Sequence, residues 1–225
     1  MGQVFDLVAI EASLRKLEVH FPEINKVLKS RRESLDPSIV SNMIDGYHFV
    51  DSLLARHVDL FAMGNLELFL ELNALVLCGR DAGARAKATS HLAATERRFY
   101  EQEGGGIRDV VEWYTVHRAD TPWRRAAGVY IAILSEPELF IEGNHRTGAL
   151  VMSYILARDG CPPFVLSVEN AQAYLDPSSL ITSTRKHRFD LMRVRKLKRY
   201  FANFLKEQAA QKYRIATMAG RGRAE

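Results

Sequence analysis

Apolar positions recur along this chain at the three-and-four spacing of helices, and almost nowhere at the alternating spacing of strands. In residues 4–18, Phe5, Val8, Ile10, Leu14 and Leu17 fall at helical spacing. Pro22 predicts the start of a second, short helix running to about residue 32. Asp36 and Pro37 form a cap and a first-turn proline, and the helical pattern that follows reaches about residue 62, with a break expected near Gly46. Residues 66–78, LELFLELNALVLC, read as a buried helix. Further helices are expected over residues 87–100, 107–117 and 122–134, the last opened by Thr121 and Pro122. Its small residues Ala126, Ala127 and Gly128 predict close helix packing. The apolar run from residue 147 to 157, stopped by Asp159 and Gly160, predicts the most buried helix at residues 148–157. Pro162 and Pro163 then predict an extended segment, FVLSVENAQAYL. A last helix over about residues 187–213 carries Phe189, Met192, Leu197, Tyr200, Phe201, Phe204 and Leu205 on a broad apolar face. The expected fold class is all-α, with at most a small β-hairpin in the glycine-rich stretch 79–106.

Composition adds bounds. The chain has 225 residues, 47% apolar and 26% charged, which suits a globular protein with a substantial core. Three segments differ in character: N-terminal helices over residues 1–62, a core over 63–184, and a basic helix and end over 185–225. The longest apolar runs fall well short of the ~20 residues that span a bilayer, so no membrane association is expected. The amphipathic start with Asp6 and Glu11 does not read as a secretory leader, and Asp6 stands where a myristoylation signal takes Ser or Thr. Cys78 and Cys161 are too far apart in sequence for a metal or disulfide pattern. The expectation is a cytoplasmic protein with two free thiols.

Charge is unevenly spread. From Arg185 onward there are 13 Lys/Arg against 3 Asp/Glu, whereas the preceding 184 residues carry 18 against 24. Arg193, Arg195, Lys196, Lys198 and Arg199 form a basic stripe that could meet nucleic acid or an acidic partner. A solvated face is the commoner origin of such a stripe, and nucleic acid is not the expected partner.

The candidate chemistry lies in residues 138–150, ELFIEGNHRTGAL. This is an acidic loop opening directly into a helix. Asn144 is the expected N-cap, and Gly143 permits a sharp turn. Free N–H groups at such a helix start, with Arg146 in the first turn, make a site for phosphate. Glu142, just outside it, could hold a divalent cation against the same phosphates.

The stretch resembles the signature of the Fic family, H-x-F-x-(D/E)-G-N-G-R-x-x-R. Phe140, Glu142, Gly143, Asn144 and Arg146 match. Glu138 stands at the catalytic His, His145 at the second Gly and Ala149 at the second Arg; a gapped alignment places Glu136 at the His, with Pro137 following as in the family's usual H-P-F. The resemblance implies a Fic-type helical bundle, ATP and Mg²⁺ as ligands, and transfer of AMP to a hydroxyl of a protein target. It places Glu138, Asn144 and Arg146 at catalytic positions. It places Gly143, Asn144, His145 and Arg146 against the nucleotide, and Glu142 at the metal. GNHRTGAL also resembles the death-on-curing branch, which carries Lys at the position of His145 and transfers phosphate, but keeps its His.

Further upstream, residues 41–46, SNMIDG, resemble the family's inhibitory motif through Ser41, Asp45 and Gly46, with Asp in place of Glu. The motif's Glu pairs with the second Arg; with Ala149 there, no ion pair is expected for Asp45. Residues 79–106 occupy the place of the family's target-docking flap. Tyr174 or Asn170 could line an adenine pocket or simply pack, and His117 reads as a helix C-cap.

Three functions remain open: a transferase with altered chemistry, a catalytically dead relative that binds nucleotide or a partner, and a helical adaptor working through its basic end. Retention of Glu142, Asn144 and Arg146 favours a phosphate ligand. An exposed Glu, with a pKa of ~4.3 against ~6.5 for His, is a weaker base, which weighs against efficient AMP transfer. Oligomeric state, including a homo-oligomer, stays open.

Overall fold

The structure is a computed structural model, and it describes residues 2–185 and 191–215. Among these residues there are ten α-helices and no strand; the only pairings of β type are isolated bridges, Phe5 with Arg214 and Glu136 with Arg185. The fold is all-α. The helices are α1 (Leu7–Val27), α2 (Pro37–Ala55), α3 (Glu67–Cys78), α4 (Ala82–Lys87), α5 (Thr89–Glu101), α6 (Ile107–Val116), α7 (Pro122–Leu134), α8 (Asn144–Arg158), α9 (Ala171–Thr182) and α10 (Leu191–Glu207). No described helix is long and apolar enough to cross a membrane.

α8 is the central rod. Twelve of its residues are buried, including the whole run from Thr147 to Ala157, and α7, α2 and α3 pack around it. Close approach depends on small residues. A Cβ at Gly46 of α2 would overlap the Leu150 side chain of α8, and one at Gly128 of α7 would overlap the Trp113 ring of α6. Apolar residues from all three segments of the chain join one core, from Phe5 through Leu150 to Tyr213.

Several elements differ from expectation. Pro22 does not start a helix; it lies inside α1, where a missing N–H costs one bond while Leu17 and Phe21 stay buried against Ala171. Asp6 caps α1, accepting from the Ala9 N–H, and Val8 is exposed rather than buried. Gly46 does not break α2, which runs through it and ends at Ala55 rather than near residue 62. The glycine-rich stretch holds α4 and α5 instead of a hairpin. The segment after Pro163 is irregular only to residue 170, after which α9 forms with Pro177 inside it. On α10, Leu197, Phe201, Phe204 and Leu205 are buried, but Met192 and Tyr200 are exposed, and Phe189 lies outside the described residues.

Candidate functional site

The loop before α8 is held by its own asparagine. Asn144 is not the N-cap: Gly143 is, with φ +79° and ψ +8°, and no side chain caps the helix. A left-handed backbone of this kind suits glycine, and a Cβ there would come within 2.9 Å of Asn73 Nδ2. Asn144, 4% exposed, turns back into the loop instead. Its Oδ1 accepts from the Phe140 N–H, and its Nδ2 donates to the Phe140 carbonyl and to Glu138 Oε2, all at 2.9 Å. No side chain caps the first turn of α8, so its N–H groups keep their positive partial charge.

Two neighbours that the sequence reading did not single out brace this loop. Asn73, fully buried on α3, donates to the Glu142 carbonyl at 2.8 Å and to Thr147 Oγ1 at 3.1 Å. Arg98 of α5 donates from Nε to the Glu138 carbonyl at 2.9 Å. Asn73 had a signal: it is the lone amide in the apolar run of residues 66–78. Arg98 had none, because its partner is a backbone oxygen forty positions away.

The charged residues sit as follows. Arg146 donates from Nη1 to the Val76 carbonyl at 2.6 Å, near the end of α3, and its Nη2 lies 3.5 Å from Glu142 Oε1. Burial pushes its guanidinium pKa down, opposed by Glu142 and Glu33. The Glu142 side chain is 62% exposed. Among the described residues no group of three or more His, Cys, Asp or Glu could hold a metal ion. Glu142 fits a Mg²⁺ whose remaining ligands are phosphates and water, the arrangement that ion commonly takes.

His145 faces away from the loop. Its Nδ1 lies 3.1 Å from Tyr130 Oη, and its Nε2 lies 3.4 Å from Arg32 Nη1. Tyr130 in turn donates to Ser178, and Ser178 to the Tyr174 carbonyl. With a guanidinium facing Nε2, that nitrogen acts as acceptor and Nδ1 carries the proton. Burial, helped by Arg32 and Arg146, lowers the His145 pKa to about 4, so the ring is neutral at pH 7. Arg32, from the α1–α2 connection, is a third residue absent from the sequence reading.

Of the remaining candidates, Ala149 is buried on α8. Glu136 pairs with Arg185 at 3.6 Å, outside the loop, so Glu138 is the acid that the fold brings to Asn144. Ser41 donates to the Pro37 carbonyl and receives Arg15. Asp45 does have a cationic partner, contrary to expectation: Arg80 Nε lies 3.0 Å from its Oδ1. The turn after α3 brings Arg80 there, a placement that no spacing rule could reveal. Tyr174 and Asn170 are buried; the Tyr174 hydroxyl bonds the His145 carbonyl, and Asn170 ties Ser167 to Val165. His117 is the C-cap of α6, as expected.

No family model matches the chain. No curated protein matches its sequence. Among solved structures it is similar to a Fic-domain-containing signalling protein from Bacteroides thetaiotaomicron, at 14% identity over 89% of this chain and 84% of that one, with a TM-score of 0.49. It is also similar to Fic-1 from C. elegans, at 20% identity, over 89% of this chain and 59% of that one, TM-score 0.48, and to a variant of that chain at 19% identity, 0.43, with the same coverage. The chain thus spans 59% of the C. elegans chains, and each of these similar structures is of a Fic-domain protein.

Proposed function

We propose that residues 138–150 form a degenerate Fic signature loop and that the protein binds a nucleotide there through its phosphates, with AMP or phosphoryl transfer to a protein hydroxyl slow at most. The observation carrying this reading is the uncapped start of α8 at left-handed Gly143, with Arg146 in its first turn. Backbone N–H groups and a guanidinium are the donors that phosphate oxygens prefer. Arg146 already serves the Val76 carbonyl with Nη1, which leaves Nη2 for a phosphate oxygen in exchange for its long contact with Glu142. Glu142 would then be released to Mg²⁺, which supplies further positive charge against the phosphates.

Weak chemistry follows from Glu138. Its carboxylate accepts from Asn144 and so helps to hold the loop, whereas a general base must be free to take the proton of an incoming hydroxyl. The experiment uses ATP labelled at the α or the γ phosphate, with self-modification as the readout. Glu138→His is expected to raise transfer by up to ~10²–10⁴ over a slow wild type. Wild-type transfer as fast as that of Glu138→His would make Glu138 a competent base and overturn the slow-transfer reading. The position of the label on the product separates AMP from phosphoryl transfer.

A further inference from the structure

A groove runs between the first turn of α7 and the outer face of α10. We propose that it is a second anion site, for a compact ligand bearing several phosphates. The groove has a volume of about 390 Å³ and is lined by Arg124, Met192, Arg195, Lys196, Lys198 and Arg199. That size falls within the range of small-ligand pockets. Five of the six lining residues are cations. Met192, Arg195, Lys196 and Arg199 follow the helical three-and-four spacing along one face of α10, and Arg124 faces them from α7.

An ordinary solvated face looks different in this molecule. On α1, Arg15 has Glu11 and Glu18, Lys16 has Glu169 and Lys26 has Glu23. In the groove only Lys198 has a carboxylate near it, Asp120 at 3.9 Å; among the described residues none pairs with Arg124, Arg195, Lys196 or Arg199. Five cationic side chains around one concavity, four of them without a carboxylate partner among the described residues, favour an anion there. Three guanidinium forks match phosphate oxygens better than the single charges of an acidic peptide.

The aromatic neighbours argue against a single-stranded nucleic acid, which would need open rings on which to stack bases. Trp113 is stacked on His117 at 3.9 Å, and Lys198 lies over its ring at 5.3 Å. Tyr200 is tied by its hydroxyl to the Ala173 carbonyl. The groove is also separate from the signature loop. Arg125, beside Arg124, pairs with Asp159 just past the end of α8, while the far end of α7 meets the loop where the Leu139 N–H bonds the Ile133 carbonyl. Arg124 thus stands at the end of α7 away from the loop.

The test is calorimetry of the full chain with inorganic tripolyphosphate, at low salt and at 0.15 M. The expected result is binding at the groove, in addition to any at the signature loop, weakened at least tenfold by the double change Arg195→Ala and Arg199→Ala and weakened also by Arg124→Ala, which comes from a different helix. The same binding should persist in Arg146→Ala, and a tetraglutamate peptide should bind at least tenfold more weakly. Arg195 and Arg199 are exposed, so a matching circular dichroism melt is expected for the variants. The proposal is overturned if tripolyphosphate does not bind at low salt, or if its binding disappears in Arg146→Ala but survives the groove variants. It is also overturned if the peptide or a single-stranded oligonucleotide displaces it with higher affinity; an acidic protein or a nucleic acid would then be the occupant.

Discussion

Asn73 and His145 carry the two sharpest consequences at the scale of single residues. Asn73 holds the Glu142 carbonyl and Thr147 from a buried position, so Asn73→Leu removes both bonds and leaves the buried Thr147 hydroxyl without its donor. We expect a loss of about 1–3 kcal/mol, read by urea unfolding, with the melting temperature falling roughly 2–4 °C for each of those kcal/mol. His145 has a folded pKa of about 4 against an unfolded value of about 6.5. Between those values the unfolded chain binds the extra proton, so stability rises with pH. The contribution is complete above about pH 6.5 and is lost as pH falls towards 4, at most about 3 kcal/mol. Stability measured across that window should have a shallower slope in His145→Phe; parallel curves would contradict a buried neutral ring. Neither partner set was legible in the sequence, which identified the loop residues but not what they touch. Tyr130, Tyr174 and Arg32 reach His145 from three different elements. The direction of the Asn144 side chain was misread because a good capping residue can equally staple the loop before it.

At the scale of elements, the start of α8 and the crossing of α2 over it make separate predictions. Gly143→Ala places a Cβ at φ +79°, 2.9 Å from Asn73. A cost of about 1–2 kcal/mol from the left-handed backbone is expected, with any phosphate binding at the loop weakened in parallel. Gly46→Val drives a branched side chain onto Leu150, and overpacking of this kind costs about 1–3 kcal/mol. A urea midpoint equal to wild type would show that α2 can move away from α8 without penalty. Helix positions were largely legible from periodicity, as α3, α6, α7 and α8 show. Pro22 looked like a helix start and Gly46 like a break, and each lies inside a helix. Packing on one face supplies more than the single lost bond or the glycine's entropy removes. In the stretch between Gly79 and Gly106 the helix expected over residues 87–100 forms as α5, and only the short α4 around Gly83 was not foreseen.

For the whole molecule, α8 organises the fold, and two regions offer cations to a ligand, the signature-loop end and the groove between α7 and α10. The all-α class and the loop were visible in the sequence; the groove was not. The stripe on α10 was legible, but Arg124 joins it only because α7 and α10 pack side by side. Four of the 13 cations from Arg185 onward meet Arg124 there. The central claim, a phosphate-bearing nucleotide at the start of α8, is tested most directly by calorimetry with ATP, with and without Mg²⁺, on wild type and Arg146→Ala. With the α10 groove removed by Arg195→Ala and Arg199→Ala, the account predicts one-to-one binding strengthened by Mg²⁺, a strengthening absent in Glu142→Ala, and a loss of about tenfold or more in Arg146→Ala, as befits a charge-assisted hydrogen bond. ATP binding that is unchanged by Arg146→Ala would contradict it.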